Sequence, residues 1–149
     1  MIRLLFFEYE PRLIDDRLIR NIKKKMYFVK KRMEVAGCHS LSLSYPSKCS
    51  QRHGHNWVIT VYCRAKELNP DGMVCDFTHI KECIHDYLDH GDFNDLLPFN
   101  PTAENIAKWV TDMIPECYKA SVRESEGNVA VYVADEEPCG CVFEEDCPE

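Results

Sequence analysis

A closely spaced group of histidines and a cysteine is the part of this sequence best suited to chemistry. His39 and Cys49 are followed by His53 and His55, with only Gly54 between the last two. Side chains two positions apart in a strand lie on the same face, so the last two imidazoles are predicted to point the same way. Together with His39 they make a three-nitrogen set for zinc, which keeps three protein ligands in catalytic sites and four in structural ones. The sequence leaves open whether Cys49 is a fourth ligand or a separate acid–base group.

The composition describes one acidic domain. A chain of 149 residues with 45% hydrophobic residues can bury a core of its own, and a net charge of −7 argues against a nucleic-acid partner. The nine cysteines are odd in number, and residues 1–10 lack the features of a signal peptide, so we expect reduced thiols and a cytoplasmic location. No apolar stretch approaches the roughly 20 residues that cross a bilayer, so no membrane partner is expected.

The pattern of strands and helices predicts an α+β domain. Residues 26–35 form a β-rich segment with His39 at its end, and alternation over residues 56–62 predicts a second strand, which leaves Cys49 on the loop between them. Helices are predicted over residues 76–88 and from a Thr102 cap to Ile114, followed by a hairpin of strands at 120–123 and 128–134. We therefore expect an antiparallel four-stranded sheet with two helices on one face.

Three parts of the chain differ in character. Residues 1–25 form an N-terminal extension whose apolar spacing suits a short helix, although Met26 is an alternative start, and the sequence does not decide between the two. Residues 26–136 form the expected catalytic domain. Residues 137–149 form an acidic tail with Cys139, Cys141 and Cys147, for which free thiols are a simpler interpretation than a second metal site.

Four segments of the sequence follow one another in a distinctive order. They are a strand ending in His39, a cysteine before a His-Gly-His pair at 53–55, the Leu-Asp-His segment at 88–90 followed by Phe-Asn-Asp at 93–95, and the Asn-Pro-Thr-Ala-Glu segment at 100–104. Taken together, they resemble the 6-pyruvoyltetrahydropterin synthase superfamily. Each is a weak match alone, whereas all four in order are a strong one. The three residues between Cys49 and His53 favour the 6-carboxytetrahydropterin synthase branch, which serves queuosine and deazapurine biosynthesis.

The resemblance implies an enzyme with Zn²⁺ on His39, His53 and His55. The implied reaction converts 7,8-dihydroneopterin triphosphate to 6-carboxy-5,6,7,8-tetrahydropterin, with release of triphosphate and acetaldehyde. Cys49 would accept a proton from the substrate side chain, and His90, oriented by Asp89, would return one.

The resemblance also implies a carboxylate that holds the pterin ring. A gap-free match places Asp135 where the family has a glutamate, in phase with Val131 and Val133. Glu104 and Thr102 are further expected substrate contacts. Family members form the tunnelling fold, in which sheets associate into trimeric barrels that stack as hexamers. A homo-oligomer with shared active sites is therefore expected, with Asp89 and His90 reaching Cys49 of a neighbouring chain.

Two alternatives stay open. Within the superfamily, the product could instead be 6-pyruvoyltetrahydropterin or the result of dihydroneopterin side-chain cleavage. A hypothesis of another class is a non-catalytic module in which Cys49 joins the three histidines to close a structural zinc site. The sequence does not determine the exact product, the effect of aspartate at position 135 where the family has glutamate, or the oligomeric state.

Overall fold

The computed structural model describes residues 26–134, and these form one sheet covered by helices. Four long strands pair in antiparallel fashion, and one short strand joins them at an edge, where it runs parallel to its neighbour. The strands are β1 (Tyr27–His39), β2 (His53–Ala65), β3 (Gly91–Asp92), β4 (Cys117–Ser125) and β5 (Asn128–Val133), and their order in the sheet is β3-β1-β2-β4-β5.

The predicted sheet of four antiparallel strands was therefore incomplete, because β3 adds a fifth strand in parallel orientation. Strand β3 has only two residues, which is too short for any alternation of apolar and polar residues to reveal. It pairs Gly91 with Gly37 of β1. A Cβ atom at position 91 would lie 2.9 Å from the Leu88 carbonyl oxygen, so glycine permits this close approach.

Three helical segments connect the strands. Segment α1 passes from an α-helical start at Phe77–Ile80 through a π-helical stretch at Lys81–His85 to Asp86–Leu88, and is followed by α2 (Phe93–Leu96) and α3 (Ala103–Met113). Asp76 accepts a hydrogen bond from the Thr78 amide at the start of α1, and Thr102 accepts one from the Asn105 amide at the start of α3. The α3 helix thus begins after the predicted Thr102 cap, and α1 begins within one residue of its predicted start at Asp76.

One face of the sheet packs against the helices. Alternate residues of β1 and β2, including Val35, Trp57 and Ile59, are fully buried against helical residues such as Ile84 and Ile106. In β1 the intervening residues Arg32 and Glu34 are exposed, whereas Val58 and Tyr62 of β2 are buried as well. The helices therefore lie on one face, as predicted, and the expected ligands His39, His53 and His55 lie at the end of that face.

Some predictions fall outside the described residues. The extension 1–25, the tail 137–149 with its three cysteines, and Asp135 are among them. Among residues 26–134, no helix combines the length and the apolar character that crossing a bilayer requires.

Candidate metal centre

The register between β1 and β2 brings the three predicted histidines together. His39 is paired directly with His53, and His55 lies opposite Gly37, which has no side chain to compete for space. One ligand atom from each histidine and one from Glu124 all lie within 4.8 Å of one another. The sequence predicted the three imidazoles, and the structure adds a carboxylate from the end of β4.

Hydrogen bonds fix the tautomers of two of the rings. His39 Nδ1 lies 2.8 Å from the Pro101 carbonyl oxygen, and His53 Nδ1 lies 2.7 Å from that of Gln51. A carbonyl oxygen only accepts, so each Nδ1 carries the hydrogen and each neutral ring has its lone pair at Nε2. These two Nε2 atoms are 3.1 Å apart. Nitrogens about 2.0–2.1 Å from one zinc ion at a tetrahedral angle lie roughly 3.3–3.4 Å apart, so the two lone pairs face each other at nearly the spacing of shared ligands.

The third ring has an unpaired nitrogen. His55 Nε2 is buried and has no hydrogen-bond partner among the described residues. Its nearest charged neighbour is Glu124, whose Oε1 lies 3.5 Å away. A buried polar atom without a partner costs free energy, and a metal ion in this group of donors would remove that cost. The donor set of three imidazoles and one carboxylate therefore fits Zn²⁺.

Aromatic packing supports the cluster from the core side. The Trp57 ring lies 4.8 Å from the His39 ring and 5.3 Å from the His55 ring, both edge to face, and Trp57 itself is fully buried. Burial lowers the pKa of His39, and the nearby His53 acts in the same direction, although the bond to Pro101 opposes them. His39 is thus favoured in the neutral form, which is the form that binds a metal.

The Asn-Pro-Thr-Ala-Glu segment contacts the cluster through its backbone. The Pro101 carbonyl orients His39, while Thr102 caps α3 and Glu104 is exposed on the first turn of that helix. A hydrogen bond to the far nitrogen of a metal-binding imidazole sets the orientation and basicity of the ring. The part of this segment that reaches the site is therefore a carbonyl group, which residue-type patterns do not reveal.

Cys49 lies on a surface turn near these residues. It belongs to a 3₁₀ turn, Lys48–Ser50, and is exposed. Its carbonyl accepts a hydrogen bond from the Leu41 amide at 2.8 Å. Its thiol is outside the group of four donors that lie within 4.8 Å of one another. Among the described residues it is thus Glu124, and not Cys49, that supplies a fourth donor beside the histidines.

Asp89 and His90 follow α1 directly. Asp89 Oδ1 accepts a hydrogen bond from the Ala36 amide at 2.9 Å, which lowers the pKa of this carboxyl group, and the nearby His90 and His85 act in the same direction. His90 Nε2 lies 3.6 Å from Asp89 Oδ2, and the His90 side chain is 83% exposed. His90 has a φ of 58°, a left-handed conformation that is uncommon for residues other than glycine.

An open cavity connects two of these groups. Its volume is about 450 Å³, and His55 and His90 both contribute to its wall. The rest of the wall comes from the ends of β1 and β2 and from β3, namely Ala36, Gly37, Cys38, Gly54, Asn56 and Gly91. A molecule in this cavity would contact an imidazole of the cluster and the exposed His90 ring at once.

Glu124 is the site residue that the sequence analysis missed. The predicted strands at 120–123 and 128–134 place Glu124 in the turn between them, but it is the penultimate residue of β4. The signal was present, because Ala120, Val122 and Glu124 alternate along the strand and the first two are buried. A β-bulge between Arg123 and Ser125 interrupts the pairing at this point.

The expected carboxylate, Asp135, lies outside the described residues. The amide of Ala134, the last described residue, donates to the Tyr118 carbonyl at 2.9 Å.

Comparisons with known proteins identify the family and agree with the fold. The family model described as 6-pyruvoyl tetrahydropterin synthase matches residues 28–143. The Bacillus subtilis 6-carboxy-5,6,7,8-tetrahydropterin synthase is 27% identical over 119 residues, which cover 68% of this chain and 82% of that protein. A Pyrococcus horikoshii protein provisionally given the same name is 44% identical over 69 residues, 46% of this chain and 41% of its own length.

A solved structure gives the same picture for the fold. The Caenorhabditis elegans 6-pyruvoyl tetrahydropterin synthase superposes with a TM-score of 0.60 at 23% identity, over 74% of this chain and 97% of that chain. At this level of identity the likeness concerns the arrangement of strands and helices, and the histidine cluster is argued from the contacts above.

Proposed function

Because the chain belongs to the 6-pyruvoyl tetrahydropterin synthase family, we propose that it is a zinc-dependent lyase that converts 7,8-dihydroneopterin triphosphate to 6-carboxy-5,6,7,8-tetrahydropterin. Triphosphate and acetaldehyde are the other products. The choice of this branch is supported by the names of the relatives in Bacillus and Pyrococcus and by the three residues between Cys49 and His53.

The observation that carries the proposal is the pair of opposed lone pairs on His39 and His53, 3.1 Å apart, beside the unpartnered nitrogen of His55. Three imidazoles in this arrangement would hold Zn²⁺. Bound zinc acts as a Lewis acid and a template, and so acidifies hydroxyl groups of a substrate side chain. Backbone carbonyls of Pro101 and Gln51 would keep two of these ligands oriented.

Two groups are proposed to move protons. Cys49, on its exposed turn, would accept a proton from carbon as the thiolate, which is the reactive form of cysteine. His90 would return a proton to the substrate. Asp89, held as a carboxylate by the Ala36 amide, lies 3.6 Å from His90 Nε2 and would orient this ring.

A carboxylate is proposed to hold the pterin ring, since it can accept hydrogen bonds from an amino group and a ring N–H together. Asp135 is one proposed residue for this role, and Glu124, whose Oε1 lies 3.5 Å from His55 Nε2, is a second. Thr102 and Glu104 remain proposed contacts of the substrate.

The assembly is proposed from family membership. Sheets of neighbouring copies would associate edge to edge into a barrel, and Asp89 and His90 of one copy would meet Cys49 of the next. The exposure of both the His90 ring and the Cys49 side chain is consistent with groups that are completed by another chain.

One assay tests the reaction directly. Zinc-loaded protein is incubated with 7,8-dihydroneopterin triphosphate, and the pterin and the small carbonyl fragment are identified by mass. The proposal expects the 6-carboxy product together with acetaldehyde. Formation of only 6-pyruvoyltetrahydropterin, or of a side-chain cleavage product, would contradict the assigned branch, and no conversion at all would contradict the proposed activity.

A further inference from the structure

Two asparagines outside the histidine cluster make paired hydrogen bonds to the segment that follows His39. Asn94 Oδ1 accepts from the Ser40 amide at 2.7 Å, and its Nδ2 donates to the Ser40 carbonyl at 2.8 Å. Asn100 bonds to Ser42 in the same way, at 2.9 Å and 3.0 Å. A side-chain amide carries both an acceptor and donors, so each asparagine satisfies both backbone groups of one residue, as a neighbouring strand would.

The residue between these two serines bonds elsewhere. The Leu41 amide donates to the Cys49 carbonyl at 2.8 Å. This alternation is typical of an extended chain, in which the backbone groups of successive residues face opposite sides. The segment from Ser40 to Ser42 thus has the two asparagines along one edge and Cys49 along the other.

Hydrogen bonds at the start of a helix hold each asparagine in place. The Asn94 amide donates to Asp92 Oδ1 at 3.0 Å, and Asp92 forms an ion pair with Arg52. The Asn100 carbonyl accepts from Asn105 Nδ2 at 3.0 Å. Bonds to Asn94 in α2 and to Asp92, the residue before α2, therefore hold both ends of the loop from Ser40 to Arg52. Asn100, in the turn before α3, holds the loop near its start.

We propose that Asn94 and Asn100 are positioning residues for Cys49. They fix the segment that hydrogen-bonds to the Cys49 backbone, and so they determine the position of the Cys49 thiol relative to the histidine cluster. The inference rests on the proposed function in giving Cys49 a part in proton transfer. A displacement of about 1 Å in a reacting group can cost on the order of 100-fold in rate, so two pairs of backbone bonds can affect turnover without any contact with substrate.

The test uses Asn94→Ala and Asn100→Ala in the full-length, zinc-loaded protein. Asn69→Ala is a matched control, because Asn69 Oδ1 accepts from the Asp71 and Met73 amides in a turn on another part of the chain. The measurements are kcat and KM with the pterin triphosphate, the zinc content, and hydrogen exchange at the Leu41 amide. The Leu41 amide donates to the Cys49 carbonyl, whereas the asparagines bond to Ser40 and Ser42, so exchange at Leu41 reports on the Cys49 contact.

The expected result is a fall in kcat of about 10- to 100-fold in both variants, with zinc retained and KM changed by less than about threefold. Exchange at Leu41 should become faster in both, whereas Asn69→Ala should leave kcat and Leu41 exchange as in the wild type. Should either alanine variant fail to fold, the corresponding aspartate variant keeps the acceptor and loses the donor, and the same measurements apply to it.

The inference is overturned if the asparagine variants behave like Asn69→Ala, with lower melting temperatures but unchanged kcat and Leu41 exchange. This outcome is distinct from a failure of the proposed function. A wild-type protein that does not convert the pterin overturns the function, while Leu41 exchange still decides whether the asparagines hold the Cys49 turn.

Discussion

Glu124 Oε1 lies 3.5 Å from His55 Nε2, and this contact joins the end of β4 to the start of β2. Glu124 places a negative charge beside three imidazoles, and it is the one carboxylate of the described residues in this group. The proposed roles of this carboxylate are to bind the metal, the pterin ring or both. Substitutions at positions 124 and 135 distinguish its contribution from that of the carboxylate expected at position 135.

Replacing Glu124 by Gln should abolish most of the turnover. The substitution keeps the size of the side chain and removes its charge, so pterin donors and the histidine cluster both lose an anionic neighbour. We expect kcat/KM to fall by about 100-fold or more, in line with the cost of losing a buried charge-assisted hydrogen bond. The matched comparison is Asp135→Asn, which makes the same kind of chemical change at the other proposed carboxylate. A larger loss in Asp135→Asn than in Glu124→Gln would return the carboxylate role to Asp135.

Replacing any one of His39, His53 and His55 by Ala should remove the metal. Each ring supplies one of the nitrogens that face the common centre, so zinc content after dialysis should fall from about one per chain to well below it. His79→Ala is the control, because His79 is exposed on α1 and outside the cluster. Zinc content is measured by atomic spectroscopy. Full retention of zinc by all three variants would contradict the assigned ligands.

Cys49→Ala separates the catalytic from the structural interpretation of the site. Because the thiol is outside the four-donor group, we expect zinc content and melting temperature near those of the wild type, with kcat reduced by about 100-fold or more. Cys83→Ala, at a half-buried position packed against the core, controls for loss of a thiol as such. Loss of zinc and of stability in Cys49→Ala would instead support a non-catalytic site closed by cysteine.

Asp89 should make folding stability depend on pH in the acid range. Its pKa is lowered in the folded state, chiefly by the Ala36 amide, so the folded protein binds fewer protons there than the unfolded chain. Stability from this group is therefore present above the ordinary value of 3.8 and is lost as the pH falls through the folded pKa. Urea unfolding of metal-free wild type and Asp89→Asn should show a difference at pH 6 that shrinks towards pH 3. A difference that stays constant over this range would mean that the charge of Asp89 does not contribute.

Mixing two inactive variants tests whether active sites are shared between chains. If Cys49 of one copy works with His90 of another, Cys49→Ala and His90→Ala refolded together should recover part of the activity that each lacks alone. A statistical mixture of chains places some intact pairs together, so recovery of roughly a quarter of the wild-type rate is expected when sites form between adjacent copies. Sedimentation of the wild type should show a trimer or hexamer. An active monomer would contradict the arrangement.

The strands and helices that matter for the site could be read from local patterns. Alternation of apolar residues predicted β1, β2, β4 and β5, and apolar residues at helical spacing together with the Thr102 cap predicted two helices, because these signals depend on neighbours in sequence. Strand β3 was missed because two residues contain no period. Its place depends on Gly91 fitting beside Gly37 of β1, which is a contact between distant parts of the chain.

By itself, the sequence determined which three imidazoles lie together. The His-Gly-His spacing places two imidazoles on one face of a strand, and His39 at the end of the preceding strand supplies the third, because side-chain alternation is a local property of extended backbone. The family resemblance came from the same short segments.

Only the tertiary structure decided what surrounds those imidazoles. Glu124 joins them because β4 pairs with β2 in a particular register. The Pro101 carbonyl orients His39 because the turn before α3 contacts this ring. Asn94 and Asn100 reach the backbone after His39 from distant turns. Backbone carbonyls are the same in every residue type, and strand register is fixed by packing over the whole sheet, so neither leaves a signature in a short stretch of sequence.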